Sequence, residues 1–542
     1  MFIKTAPLAA LTLALVACSP GPVPPAQPVT LQFLDVSDWH AQLDPLSVGS
    51  GASAYQVGGA AVLSAYFKQD RAANPNTLTL TGGDAYGASP PLSGFFGEVP
   101  AVEAMNVMGF DADTFGNHNF DRGLTFLQNL IDRAKFSYLS ANLQHLDANL
   151  KNVAPYKIFT VGEVKVAVIG LTNPEAPTLV APGALGTLQV TDPVAAATQA
   201  RAAAQAQGAQ VFVAITHLGV TGKDAATQAA TGPLIDFAGS VRGFDVIFGD
   251  HTNEQFSGFV GDALVVENLS KGASYAKVNV TYDLTSRRVT DRVNTFVEPR
   301  MDAVTPDPAV EQVLAPYRAQ LAQQLDRRVG VATDVFPRGS NIERLGEVAL
   351  GDLIADAFRT RYGTQLAIQN GGSIRSSLPS SYAPQDKNLR RPTPGYQPGP
   401  PYDLVAGDVY SVLPFGNTVV TRTVTGAQLY AALANSVSAL PGASGRFLQI
   451  SGFSFAYDVS KAVGSRIVSV TLDGGTPIQK DATTYTLALS DFTNSGGDEY
   501  TMFNDGQGTT REPDAQVVLE YIQGLGTVTP TVGQRIRAVT GT

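Results

Sequence analysis

The chain has 542 residues, a formal net charge of −10 at pH 7 and a hydrophobic content of 44 %. It is longer than one ordinary domain, and its single cysteine excludes an intrachain disulfide. Acidic and basic residues are mixed, with no basic stripe of the kind that binds nucleic-acid polymers, so an anionic ligand would need its positive charge supplied locally.

The N-terminus reads as an export signal. Lys4 precedes an apolar run from Ala6 to Ala17, interrupted only by Pro7 and Thr12 and too short to span a bilayer. It ends in Leu15-Val16-Ala17-Cys18, which resembles a bacterial lipobox and implies a lipid on Cys18. The expected location is the cell envelope or periplasm, with the membrane reached only through that lipid. Ser19 to Pro28 reads as a stiff, Pro-rich tether.

From Thr30 to about Pro299, apolar runs alternate with helical stretches. Expected strands are Leu31–Val36, Thr77–Thr81, Val164–Leu171, Val211–Thr216, Val246–Phe248 and Ala263–Glu267, with Ala-rich helices such as Pro193–Gln207 between them. This alternation predicts an α/β domain with ligands at the carboxyl ends of its strands. Asp307 to Arg328 carries apolar residues at helical spacing (Val310, Val313, Leu314, Tyr317, Leu321, Leu325) and predicts a helix joining two domains, with Pro316 a candidate kink. A second globular region follows. It opens on a helix expected over Leu345–Tyr362 and contains a Pro-rich loop, Pro392–Pro401. The expected division is residues 1–18 leader, 19–29 tether, 30–305 first domain, 306–329 linking helix and 330–542 second domain.

The chain has five histidines, and four sit in short motifs at the ends of apolar runs. These are Asp38-Trp39-His40, Gly116-Asn117-His118-Asn119-Phe120-Asp121, Ile215-Thr216-His217 and Gly249-Asp250-His251-Thr252-Asn253. His145 has no such neighbours and reads as structural. Asp38 and His40, two apart at a strand end, share a face. Asp84 follows a strand in Thr81-Gly82-Gly83-Asp84, where the glycines admit close approach of a ligand. Imidazole, carboxylate and amide donors together suit Zn²⁺, Mn²⁺ or similar ions rather than Ca²⁺.

In that order the motifs resemble the dinuclear metallophosphatase superfamily, and within it the 5′-nucleotidase family. The resemblance implies that Asp38, His40, Asp84 and Asn253 hold one divalent metal and that Asp84, Asn117, His217 and His251 hold a second, with Asp84 bridging. It implies phosphate-ester hydrolysis by a metal-bridging hydroxide, with His118 as the catalytic imidazole and Asp121 orienting it. Three residues depart from the pattern. Asn119 replaces Glu, Asp250 replaces a Gly before His251, and Asn253 stands where the family has His or Gln.

The second region carries its own signal. Asn370-Gly371-Gly372-Ser373-Ile374-Arg375, Leu413-Pro414-Phe415-Gly416-Asn417 and Phe492-Thr493-Asn494-Ser495-Gly496-Gly497-Asp498 resemble runs of the 5′-nucleotidase C-terminal domain. Glu347 to Ala357 resembles its opening helix, and Arg344 falls on a family arginine. Two aromatic rings projecting beside glycine turns suit a clamp on a nucleobase of any kind, because every base has a π-face. Asp498 suits ribose hydroxyls. Arg344 and Arg375 offer planar forks to phosphate or ribose, and Asn370 serves either.

The resemblance covers about Leu31 to Ile536, with gaps at Ser47–Gln56 and Lys387–Tyr402. It implies an α/β protein: an N-terminal four-layer α/β/β/α metallophosphatase sandwich, a linking helix and a C-terminal α/β substrate-binding domain. The expected ligand is a nucleotide, with no nucleic-acid polymer and no protein partner. The same site would also serve a 2′,3′-cyclic nucleotide, a UDP-sugar or another pyrophosphate. A nucleotide-binding lipoprotein without catalysis is the alternative of another class.

Overall fold

The structure, a computed structural model, describes residue 1 and residues 28–48, 55–180, 183–224 and 227–539. The leader, Cys18, most of the tether and residues 49–54 of the stretch 47–56 lie outside the described residues.

Thirteen strands build two sheets in the N-terminal half. In chain order they are β1 (Val29–Asp35), β2 (Thr77–Leu80), β3 (Ala112–Asp113), β4 (Ser137–Leu139), β5 (Val153–Ala154), β6 (Tyr156–Val161) and β7 (Val164–Leu171). There follow β8 (Val211–Thr216), β9 (Val246–Phe248), β10 (Phe256–Val260), β11 (Ala263–Glu267), β12 (Tyr275–Asp283) and β13 (Arg288–Val297). One sheet has the order β13-β12-β1-β2-β3-β4-β5, the other β10-β11-β9-β8-β7-β6. β1 to β5 run parallel, as do β7, β8, β9 and β11, so their carboxyl ends form one rim in each sheet.

Period-two patterning explains the layers. Val164, Val166 and Val168 of β7 join Leu31, Phe33, Val211, Val213 and Ile215 in a core between the two sheets. Ala167, Ile169 and Leu171 face the other way, onto helices α4 (Pro193–Ala206) and α5 (Pro233–Ser240). The outer face of the first sheet is covered by α1 (Ala60–Ala73), α2 (Val99–Met108) and α3 (Leu124–Ile131). This is the four-layer α/β/β/α sandwich.

The joining helix α6 runs from Pro308 to Leu325 with Pro316 inside it. Asp307 caps it by accepting the Ala309 N–H at 3.1 Å, and Ser64 and Lys68 of α1 hold the same carboxylate. Val310, Leu314, Leu321 and Leu325 are buried in a core that continues into the C-terminal half. There a five-stranded sheet has the order Leu448–Ser451, Leu366–Asn370, Thr484–Ser490, Thr418–Thr425, Thr509–Pro513.

The helix expected over Leu345–Tyr362 starts at Ala349 instead. Glu347, just before it, accepts the backbone N–H groups of Arg535 and Ile536 at 2.9 and 3.0 Å, a bond to the far end of the chain that local pattern does not reveal. The stretch Lys387–Tyr402 is anchored by Arg391, whose buried guanidinium donates to both oxygens of buried Asp408.

Candidate active site

Five parallel strands deliver the clustered side chains. Asp38 and His40 follow β1, Asp84 follows β2, Asn117 and His118 follow β3, His217 follows β8, and His251 and Asn253 follow β9. Asp38, His40, Asp84, His251 and Asn253 all have positive φ, from 40° to 85°. Such backbone is costly for any residue but glycine and tolerated best by Asn and Asp, and it concentrates at functional sites. At Gly116 a Cβ would collide with the Asp84 carboxylate and the His217 ring, so the turn before Asn117 admits only glycine.

Hydrogen bonds orient each imidazole. The Gly87 carbonyl only accepts, so His40 Nδ1 donates to it at 2.8 Å and leaves Nε2 with its lone pair. The Gly82 carbonyl does the same for His217 Nδ1 at 3.1 Å. His217 Nε2 then faces Asp84 Oδ2 at 3.1 Å and His251 Nδ1 at 3.1 Å. Acceptors converging in this way need a proton or a metal cation among them. Asn117 Oδ1 is buried with no hydrogen-bond donor. The donor atoms of Asp38, His40 and Asp84 lie within 4.8 Å of one another, as do those of Asp38, His217 and Asp250. This donor set, carboxylates with lone-pair-bearing imidazoles and an orphaned amide oxygen, fits divalent cations.

The field agrees. Burial works to lower the pKa of His217, but Asp84 and Asp250 outweigh it and hold it well above the usual histidine value, so Nε2 carries a proton wherever a metal cation does not take its place. Burial would raise Asp84, yet His217, His118 and His40 hold it below the usual carboxylate range. His251 is pulled down to about 3 by burial and by the charge of His217, which keeps it neutral. His40 is held well below its usual value by burial and by Arg375.

His118 is held differently. Its backbone N–H donates to Asp84 Oδ1 at 2.8 Å, and its Nδ1 meets Asp121 Oδ2 at 2.8 Å, leaving Nε2 as the free nitrogen. Asn119, one of the three departures, ties the two loops together. Its Oδ1 accepts the N–H groups of Gly116 at 2.8 Å and Asp84 at 3.2 Å.

The C-terminal half closes over this cluster. Arg375 Nη2 donates to His40 Nε2 at 3.2 Å, and the ring of Phe415 lies against His118. Asn370 Nδ2 donates to Asp498 Oδ2 at 2.7 Å, and Ser373 Oγ donates to Asn370 Oδ1 at 2.7 Å. Asp498 is raised by burial, against the pull of Asn370 and Arg344. Phe492 lies flush on Gly497, where a Cβ would strike the ring.

A single cavity of about 640 Å³ is lined by Asp38, His40, Asp84, Asn117, His118, Asp121, His251 and Asn253 from one half, and by Arg344, Asn370, Arg375, Phe415, Phe492 and Asp498 from the other. Of the expected ligand, catalytic and substrate-binding residues, His217 alone is not on its wall. It is fully buried behind the others. Lys271 and Arg338 also line the cavity and were not expected. Lys271 Nζ donates to the Arg375 carbonyl at 2.9 Å, and Arg338 Nη2 lies 3.2 Å from buried Glu343. Burial and two neighbouring arginines hold Lys271 well below the usual lysine value and Arg375 at about 9. Lys271 follows the carboxyl end of β11, a position signal that was available, whereas Arg338 lies in no motif.

Residues 328–505 match the model of the 5′-nucleotidase C-terminal domain. A solved 5′-nucleotidase precursor from Thermus thermophilus superposes with a TM-score of 0.82 at 27 % identity, covering 95 % of this chain and 100 % of that one. The chain thus carries a 5′-nucleotidase C-terminal domain over residues 328–505 and is similar along nearly its whole length to a solved 5′-nucleotidase. A snake venom 5′-nucleotidase of Naja atra is 28 % identical over 543 residues, 93 % of this chain and 98 % of that protein. Endonuclease YhcR of Bacillus subtilis is 27 % identical over 521 residues, and there the match spans 92 % of this chain but 40 % of the relative. The 5′-nucleotidases among these relatives are hydrolases of phosphoric esters, and the chain is similar to them over more than nine-tenths of its length. Among the described residues no helix is long and apolar enough to cross a membrane.

Proposed function

We propose that this protein is an exported, metal-dependent phosphohydrolase that removes phosphate from nucleotides. The observation that carries the reading is the shared cavity. The Asp, Asn and His cluster lines one side, and two aromatic rings, two arginines and the Asn370–Asp498 pair line the other.

Asp38, His40, Asp84 and Asn253 would hold one divalent ion, and Asp84, Asn117, His217 and His251 a second. When bound, two such ions lower the pKa of a water and offset charge on phosphoryl oxygens. The protein's own groups do the rest. Arg344 and Arg375 present guanidinium forks to the phosphate. Phe415 and Phe492 take the base by stacking. Asp498, held by Asn370, accepts from ribose hydroxyls. His118, with Nδ1 held by Asp121, offers Nε2 to stabilise charge on the phosphoryl group or to donate a proton to the leaving oxygen.

Export rests on the leader, and a lipid anchor on Cys18 within its lipobox-like run. The division at about residues 305 and 330 suits a clamp in which the two halves meet around substrate.

The test is phosphate release from AMP, UDP-glucose and 2′,3′-cyclic AMP, each with Mn²⁺ and with Zn²⁺. Release from AMP supports the nucleotidase reading, and preference for another of the three names the substrate instead. Binding of all three with no release from any would leave a nucleotide-binding lipoprotein.

A further inference from the structure

A strained turn carries the Asp498 carboxyl to the cavity. Gly496, Asp498 and Glu499 have φ of 97°, 53° and 63°. Left-handed backbone is free for glycine, tolerated by Asp and costly for Glu. Such a stretch persists only where its surroundings hold it.

Two residues outside the turn hold it. Asn435, in the last turn of the helix Gly426–Ser436, donates from Nδ2 to the Asp498 carbonyl at 2.9 Å. Arg446 donates from Nη1 to Glu499 Oε2 at 2.9 Å, and its own carbonyl accepts from the Tyr500 hydroxyl. Arg446 Nη1 also lies 3.4 Å from Asn435 Oδ1. Three consecutive residues, Asp498, Glu499 and Tyr500, are therefore tied to the same two. The Arg446–Glu499 pair is partly exposed and weak by itself. The Asn435 bond acts on the main chain of the left-handed residue and is the stronger constraint on its shape.

That bond fixes the peptide between Asp498 and Glu499, and with it the direction in which the Asp498 side chain leaves the backbone. Asn370 already occupies Oδ2 at 2.7 Å, so the turn decides where Oδ1 points. Gly445 keeps the approach clear, since a Cβ there would stand 3.1 and 3.4 Å from the two carboxyl oxygens. Burial raises this carboxyl, and a hydroxyl partner suits it in either protonation state, because a hydroxyl both donates and accepts. Asn435 is not itself on the cavity wall, so whatever it does for a ligand acts through Asp498.

We propose that Asn435 is a positioning residue for ribose recognition: it holds the left-handed backbone of Asp498 so that the carboxyl meets the sugar hydroxyls. The proposal rests on the nucleotide-binding reading above and adds to it a residue off the cavity wall on which selectivity for the sugar depends.

The experiment is calorimetric binding of AMP and of 2′,3′-dideoxy-AMP, which lacks both ribose hydroxyls, to chelator-stripped full-length protein, so that no turnover intervenes. The wild type is expected to bind AMP about 3–30-fold more tightly than the dideoxy compound. D498A should erase that preference. N435A should reduce it to about twofold or less, mainly by weakening AMP. In a D498A background N435A should change neither affinity. N435D, isosteric but without the amide donor, should match N435A and serves in its place should N435A not fold. A ribose preference lost in D498A but kept in N435A and N435D would overturn the proposal alone, as would equal losses for the two nucleotides in N435A. A wild type without any ribose preference would overturn the ribose role of Asp498 and the proposal with it. The expected pattern of affinities, with no phosphate released from any nucleotide by the metal-loaded protein, would support the proposal and overturn only the phosphohydrolase reading.

Discussion

The imidazole of His118 lies against the ring of Phe415, with centroids 5.6 Å apart and planes 29° from parallel. One residue comes from the loop after β3 and the other from the C-terminal half. The group proposed for proton transfer therefore touches the group proposed for base binding, and the guanidinium of Arg375 lies 5.9 Å from the same Phe415 ring. The residues proposed for base recognition and for chemistry share a wall.

Loss of Phe415 should separate nucleotides from simpler esters. Base–aromatic stacking is worth about 1–3 kcal/mol, so F415A is expected to lower kcat/KM for AMP roughly 5–150-fold. For p-nitrophenyl phosphate, which has no base, the fall should be much smaller. Parallel steady-state kinetics on the two substrates check this, and equal losses would refute base stacking at Phe415.

His118 has no place in the proposed ligand set, so its removal should spare the metals. H118N is expected to keep the wild-type metal content, measured by plasma mass spectrometry, and to lower kcat by about 10²–10⁴-fold. D121N, which leaves the imidazole in place but unheld, should lose less.

The Arg391–Asp408 pair is wholly buried, and Asp408 also accepts the backbone N–H groups of Ser380 and Val405 at 2.9 Å each. D408A strands the Arg391 guanidinium without its counter-charge. Breaking a buried pair from one side costs about 3–5 kcal/mol, and urea unfolding should show a loss of that size. A change under about 1 kcal/mol would mean that water reaches Arg391.

Glu267 supplies a pH dependence. Burial pushes its carboxyl up to about 8 from an ordinary 4.5, against hydrogen bonds from Thr252, Val220 and Glu254. Between those values the folded protein keeps a proton that the unfolded chain has released, so this group's contribution to stability is present below about pH 4.5 and is lost as pH rises toward 8. E267Q cannot titrate. The wild-type melting temperature should therefore fall relative to that of E267Q as pH goes from about 5 to about 8, and parallel curves would show that Glu267 stays ionised.

Much of the first half was legible in the residues. The bounds of β7, β8, β9 and β11 coincide with those expected, because each is a mainly apolar run buried on both faces, with Lys165 of β7 the one exposed residue among them. The start of α7 (Ala349–Tyr362) was not legible, because Glu347 serves backbone groups almost 190 residues away. Arg338 carries no motif, and only its burial beside Glu343 shows that it faces the same space as Lys271, which its place after β11 could have signalled.

The sequence by itself determined which chemistry each strand end carries, since a period-two run places its following loop on one rim and Asp-x-His or Asn-His fills that loop with donors. Only the tertiary structure decided that the donors of four loops and the proposed clamp residues of the other half share one cavity. It also decided that His217 stands behind the wall rather than on it. Those relations are distances between segments remote in the chain, set by packing two sheets and a second region about α6, and no local pattern encodes them.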